Sequence, residues 1–309
     1  MAKSYRSIYS ALAANLLIAL TKFVAGAFTN SSSMISEGVH STVDSINELL
    51  LLYGLRRSKK APDTQHPFGY GKELYFWSFI VAILIFGLGG GISIYQGILH
   101  IMHPEPLANP TWNYVVLALS FVFEGSSLII AMKEFDALRG KLGWWDAVIK
   151  SKDPSSFLVL FEDSAAVLGL SIVTTFMVIN HRYNLPVLDG IASVLVGLVL
   201  VFVSLILARE SRSLLMGEGV SPETIIRIKK IAEKDNAVEK VLNVLSTYQS
   251  PEDVVLMLVV VFKSDLDTEE ITAAIDRVRS AVKEEFKLVH YIFVQPDIYR
   301  KPLKSSPNP

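Results

Sequence analysis

The chain has 309 residues, 51% of them hydrophobic and only 19% charged, with no cysteine and a formal net charge of −1. A soluble chain of this size would carry about a quarter charged residues, so the composition points to a membrane. The absence of cysteine excludes disulfides, thiolate metal sites and cysteine nucleophiles, and the balanced charge offers no basic face to nucleic acid.

Charge is unevenly spread. Residues 1–208 hold 14 basic and 14 acidic residues, and residues 209–309 hold 15 and 16. The expected organisation is therefore a membrane domain over 1–208, a soluble domain over 209–300 and a flexible tail over 301–309. A membrane helix needs about 20 mostly apolar residues. In chain order, six stretches meet that need: Ile8–Phe28, Ser33–Leu55, Leu74–Ile98, Trp112–Met132, Ser156–Ile179 and Pro186–Ala208. Turn-forming residues separate them, as in Thr29-Asn30-Ser31-Ser32, His103-Pro104-Glu105-Pro106 and Asp153-Pro154.

Lysine and arginine mark the sides of the membrane. The amino-terminal tail has two, the loops after the second and fourth spans have five each, and the three opposite connections together have Arg182 alone. Both termini are expected in the cytoplasm. The first apolar run is too long for a cleavable signal and continues into further spans. With no targeting presequence in view, the expected location is a bacterial inner membrane.

Beyond Arg209 the pattern becomes that of a soluble α+β domain. Ser221-Pro222-Glu223 starts a helix that runs to about Lys234. Val238–Tyr248 and Asp253–Phe262 read as strands joined by a turn. Thr268–Phe286 reads as an amphipathic helix with Ile271, Ile275, Val278 and Val282 on one stripe, and His290–Val294 as a last strand. The order α-β-β-α-β suggests a small sandwich of ferredoxin-like character.

Ionisable side chains inside a membrane are expensive, which makes each a functional candidate. The second span is the richest, running Ser36-Glu37-Gly38-Val39-His40-Ser41-Thr42-Val43-Asp44-Ser45-Ile46-Asn47-Glu48. Glu37, Asp44 and Glu48 share one helical face, with His40 and Asn47 beside it. His40 and Asp44 stand four apart, so an imidazole nitrogen and a carboxylate can reach one point. Glu162 and Asp163 of the fifth span supply further carboxylates; spacing alone does not choose between them. One imidazole with two or three carboxylates suits Zn²⁺, Mn²⁺, Fe²⁺ or Co²⁺. Lys22 and Asn15 of the first span read as ion-pair and packing partners. Glu124 reads as a pathway residue or an interhelical hydrogen bonder. Asp189 reads as a cap on its own helix, and Gly87, Gly89, Gly90 and Gly91 as close helix-packing positions.

The sequence resembles the cation diffusion facilitators over nearly its whole length. The resemblance rests on His40-x-x-x-Asp44, on Asp63-Thr64-Gln65-His66-Pro67-Phe68-Gly69-Tyr70-Gly71-Lys72, and on Asp189-Gly190-Ile191-Ala192-Ser193. Arg209-Glu210-Ser211 with Leu214-Leu215-Met216-Gly217-Glu218 adds a fourth block. It implies a homodimer of six-helix protomers with cytoplasmic carboxyl-terminal domains, exporting a divalent metal against protons by alternating access. The metal site is implied at His40, Asp44 and two fifth-span residues, with Glu37, Asp63 and His66 as weaker ligand candidates. Zinc is the first expectation, with Mn, Fe, Co or Cd as other cargo and no prosthetic group.

Two features depart from the family pattern. The fifth span has no histidine, and its Glu162-Asp163 pair resembles the branch that includes mitochondrial-type zinc transporters. The tail has one histidine, His290, and Val294-Gln295-Pro296-Asp297 lacks the family's His-x-Asp arrangement, so its binuclear metal site is expected to be missing. A different class, an intramembrane enzyme with His40 and Asp44 as base and orienting carboxylate, lacks any nucleophile or substrate motif.

Overall fold

A computed structural model of the chain describes residues 2–106 and 111–298, with side chains from residue 15 onward except Ser155. The expected tail over 301–309 lies outside the described residues. Two compact units emerge. The first takes the chain up to Lys60 together with residues 72–213; the second takes residues 61–71 and the chain from Leu214 onward.

The first unit is helical throughout. It contains α1 (Ala2–Thr29), α2 (Ser32–Ser58), α3 (Glu73–Leu84), α4 (Ile92–Met102), α5 (Thr111–Arg139), a short α6 (Trp144–Lys150), α7 (Pro154–Tyr183) and α8 (Val187–Met216). A π-helical segment, Ile85–Gly91, joins α3 to α4 without a break, which the sequence did not foretell. Asn30 and Asn184, at φ of 54° and 51°, follow α1 and α7 in the left-handed conformation that asparagine tolerates. Helix α8 runs past the expected end at Ala208 to Met216, and Gly217 at φ 103° then stops it.

Among the described residues, Glu73–Met102, Thr111–Arg139, Ser156–Tyr183 and Val187–Met216 are long and apolar enough to cross a membrane; Asn15–Thr29 is a shorter apolar stretch. Helix α2 has 27 residues but spends much of its length on serine, glutamate, histidine, aspartate and asparagine. The unit is packed around Met34, Val81, Ile85, Leu117, Phe157, Leu158, Leu170, Val173 and Leu200, all at most 2% exposed.

Only part of the glycine expectation holds. A Cβ on Gly90 would lie 2.7 Å from Val201, and one on Gly97 would lie 2.7 Å from the Gly190 carbonyl oxygen and the Val194 nitrogen. These glycines let α8 press against the rod of α3 and α4. Gly87 meets nothing within 4 Å, and Gly91 only the Phe86 oxygen at 3.7 Å.

In the second unit, α9 (Pro222–Ala232), β1 (Val238–Ser250), β2 (Asp253–Phe262), α10 (Thr268–Glu285) and β3 (Val289–Asp297) follow the expected order. Asp267 caps α10 through a reciprocal pair with Glu270, at 2.8 and 3.0 Å. The sheet order is β1-β2-β3; β1 and β2 pair antiparallel (Leu245 opposite Met257), and β2 and β3 pair parallel. Alternation along β2 buries Val254, Leu256, Leu258 and Val260 against Ile228 and Ala232 of α9 and Ala274, Val278 and Val282 of α10. Arg277 grips Asp235 through two hydrogen bonds of 2.6 and 2.9 Å, which holds that carboxyl below the usual aspartate range.

Residues 61–71 belong to this second unit, which the expected boundary at 208 did not include. Phe68 sets its ring edge-on to Tyr291 at 5.3 Å, and a Cβ on Gly71 would strike the Gln249 carbonyl oxygen at 2.4 Å.

Replacing Gly97 with Ala should lower thermal stability by about 1–3 kcal/mol, because backbone must move to admit the methyl group. Gly87→Ala should leave stability unchanged or slightly raised. Paired melting curves in one detergent check both, and equal losses at the two positions would refute the packing argument.

Candidate metal-transport site

Helix α2 is a polar spine, and nearly every rung is tied to a different helix. At its amino end Asp189, on α8, is 1% exposed and accepts five hydrogen bonds from three consecutive serines. The donors are the Ser32 and Ser33 backbone N–H groups (2.5 and 3.1 Å) and the hydroxyls of Ser31, Ser32 and Ser33 (2.7, 3.0 and 2.5 Å). Asp189 thus caps α2, not its own helix. A carboxylate at a helix amino end also meets the positive end of the helix dipole. One turn further, Ser36 and Ser193 share a hydrogen bond, and Ser193 donates to the Ser93 carbonyl at 2.8 Å.

The next rung is ionic. Lys22 of α1 is fully buried, and its Nζ donates to Glu37 Oε2 at 3.1 Å, Ser41 Oγ at 2.8 Å and Glu124 Oε1 of α5 at 2.6 Å. Lys22 and Glu124 are therefore the interhelical partners that two of the sequence readings allowed. At the far end of the spine Asn15 donates to Glu48 at 3.0 Å.

Between these rungs sits the His40–Asp44 pair. His40 is 2% exposed, and its Nδ1 lies 3.5 Å from Asp44 Oδ1. Both ring nitrogens and Asp44 Oδ1 are buried without a hydrogen-bond partner. That deficit is costly, since an unpaired buried polar group carries its full desolvation penalty. Glu162, Glu124, Lys22 and Asp163 are charged groups within electrostatic reach of Asp44.

The two fifth-span acids differ in their engagements. Glu162 is 9% exposed and accepts from Asn47 Nδ2 at 2.5 Å, which ties α7 back to α2. Asp163 accepts from Ser127 of α5 at 2.8 Å. No three His, Asp or Glu side chains among the described residues stand close enough together to hold one ion in this arrangement.

The weaker candidates lie elsewhere. Glu37 is held by Lys22. Asp63 and His66 sit in the second unit, where Asp63 Oδ1 accepts from the His66 backbone N–H at 2.9 Å and Oδ2 from Tyr70 at 2.7 Å. The His66 ring packs on Tyr70 with centroids 4.2 Å apart. His290 pairs with Asp253 at 3.1 Å.

The serine cradle and the Asn47–Glu162 bridge were missed in the sequence. A signal existed for the first, since three serines open α2 and an acid opens α8, but their meeting is a tertiary fact.

Residues 8–216 match the cation efflux transmembrane domain. The chain belongs to that family. It is 36% identical over 239 residues to the human mitochondrial proton-coupled zinc antiporter SLC30A9, covering 77% of this chain and 42% of that protein. Metal tolerance protein C4 of Arabidopsis thaliana is 34% identical over 250 residues, covering 80% of this chain and 55% of the relative. The manganese efflux protein MneS of Bacillus subtilis is 22% identical, with 89% of each chain covered. The chain thus spans about half or less of the length of the mitochondrial and plant relatives, and nine-tenths of the bacterial one. The family is one of multi-pass cation efflux proteins, and the human and Bacillus relatives are named as a metal antiporter and an efflux protein.

Asp189→Asn turns an amide toward a cradle of donors and should cost about 2 kcal/mol or more of stability. Thermal unfolding of the full chain measures it. An unchanged melting temperature would show that the cradle does not need the charge.

Proposed function

We propose that the chain is a secondary transporter that exports a divalent transition metal, zinc in first place, from the cytoplasm in exchange for protons. The observation that carries this reading is the His40–Asp44 pair, whose two ring nitrogens and Asp44 Oδ1 are buried without a hydrogen bond. Glu162, whose side chain reaches α2 at Asn47, would complete the site when it leaves that partner, with Asp163 beside it. One imidazole and two carboxylates form a donor set for zinc or manganese, the ions named in two of the relatives.

Proton coupling follows from competition. Metal binding needs a neutral imidazole and ionised carboxylates, so loading releases protons and protonation expels the ion. Histidine suits this because its ordinary pKa of about 6.5 lies close to physiological pH. Alternating access would carry the loaded site from one face to the other.

The reading includes α1 and α2 as membrane spans, giving six. With the lysine and arginine bias, it puts both termini in the cytoplasm of a bacterial cell, the protein lying in the inner membrane. A homodimer and a ferredoxin-like carboxyl-terminal domain complete it, with that domain providing contact between protomers.

Reconstituted protein should move Zn²⁺ into liposomes with protons leaving, and Asp44→Ala should abolish both fluxes. Zn²⁺, Mn²⁺, Fe²⁺, Co²⁺ and Cd²⁺ presented in turn, with a pH dye inside, give the cargo. Unimpaired flux through folded Asp44→Ala protein would overturn the site. Metal flux without proton movement would overturn the coupling.

A further inference from the structure

Lys22 is more than one half of an ion pair. An ammonium group has three N–H donors, and here each has its own oxygen: Glu37 Oε2, Glu124 Oε1 and Ser41 Oγ. Three helical segments, α1, α2 and α5, thus converge on one nitrogen. Two carboxylates and a hydroxyl around a positive centre form an all-oxygen set, of the kind that Mg²⁺, Ca²⁺ and Mn²⁺ prefer. The second oxygens, Glu37 Oε1 and Glu124 Oε2, are buried without a partner, so each carboxylate keeps unused donor capacity. Glu37 Oε1 points toward α7, where a Cβ on Gly169 would come within 2.9 Å of it.

This cage adjoins the proposed cargo site. Ser41 follows His40 directly in α2, and Glu37 lies one turn before Ser41. Lys22 is among the charges felt by both His40 and Asp44, and Glu124 is among those felt by Asp44. Without Lys22, two more carboxylates would be at hand beside a site built on one imidazole.

We propose that Lys22 is a specificity-determining residue: its ammonium fills an all-oxygen cation cage and withholds Glu37 and Glu124 from the cargo. The inference rests on the proposed function, since it assumes a cation at His40 and Asp44. The ion then meets one nitrogen and a limited oxygen set, which favours borderline ions over hard ones. Lys22 itself touches no cargo; it acts through the two acids that it occupies.

The test is equilibrium metal binding by the full chain in lipid nanodiscs, with Mn²⁺ counted by electron paramagnetic resonance and Zn²⁺ by competition with a fluorescent chelator. In Lys22→Met, Mn²⁺ affinity should rise about tenfold or more, or a second Mn²⁺ should bind, while Zn²⁺ affinity changes much less. Lys22→Met/Glu37→Gln/Glu124→Gln should return to the original preference, because the freed carboxylates are gone. A folded Lys22→Met protein with an unchanged ratio of Zn²⁺ to Mn²⁺ affinity would overturn the inference and leave Lys22 a structural ion pair. Glu124→Gln keeps a neutral Lys22–Glu37 pair and serves if Lys22→Met does not fold. Its Zn²⁺ to Mn²⁺ ratio should match the unaltered protein, and a tenfold loss of Mn²⁺ affinity would identify Glu124 as a ligand and sink the proposal. Failure of the unaltered protein to bind either ion would instead refute the cargo site itself.

Discussion

Hydrocarbon cannot solvate a polar side chain, so every such group on a membrane helix must find its partner inside the protein. Helix α2, a membrane span under the proposed function, concentrates that demand. Its serines, acids, histidine and asparagine are mostly buried, and most rungs are met from another helix: α8 at Asp189 and Ser193, α1 at Lys22, which also holds Glu124 of α5, and α7 at Glu162. The bundle is therefore organised by polar pairing along one helix, with apolar packing filling in around it. An apolar α2 would strip Lys22 of Glu37 and Ser41 and Asp189 of the Ser32 and Ser33 hydroxyls, leaving both buried charges short of partners, which costs more than losing an apolar contact.

The spine also differs along its length. Near its amino end a carboxylate with five hydrogen bonds and a Ser36–Ser193 bond bind α2 to α8, and close glycine contacts bind α8 to α4. The glycine contacts set backbone against backbone, and the hydrogen bonds run through short side chains. Further along, among the described residues, α2 meets α7 through one side-chain bond, Asn47 to Glu162. Under the proposed function this asymmetry gives alternating access a physical basis. In that reading the well-tied end would move as one body with α4 and α8, while α7 is tied to α2 by one polar link where α8 is tied by several.

The periodicity of apolar residues made the helices and strands legible, and the carboxyl-terminal elements fall within a few residues of where alternation put them. Helix ends were less legible, because α8 continues for two turns on Arg209, Glu210 and Ser211, residues that end an apolar run without ending a helix. The π-helical segment escaped for a related reason. A run of four glycines in seven residues leaves few side chains to enforce ordinary helical winding, and hydropathy carries no trace of that. At the site, the sequence located the expensive residues but not their partners. Whether Glu124 lines a path or binds Lys22, and whether Asp189 caps α8 or α2, depends on helix adjacency. No one-dimensional pattern encodes that.

The unpaired atoms of His40 and Asp44 bear on both stability and function. Elsewhere on the spine most of the buried polar demand is met, so folding gains from each contact. At this rung both His40 ring nitrogens and Asp44 Oδ1 go without hydrogen bonds. Each unmet group costs about 1–3 kcal/mol, and a bound cation would return that amount as well as its own coordination energy. The cost and the affinity then reside in the same atoms. Filling the rung with internal hydrogen bonds would stabilise the bundle and weaken its hold on a cation by comparable amounts, which is the trade expected where a site is kept ready for cargo.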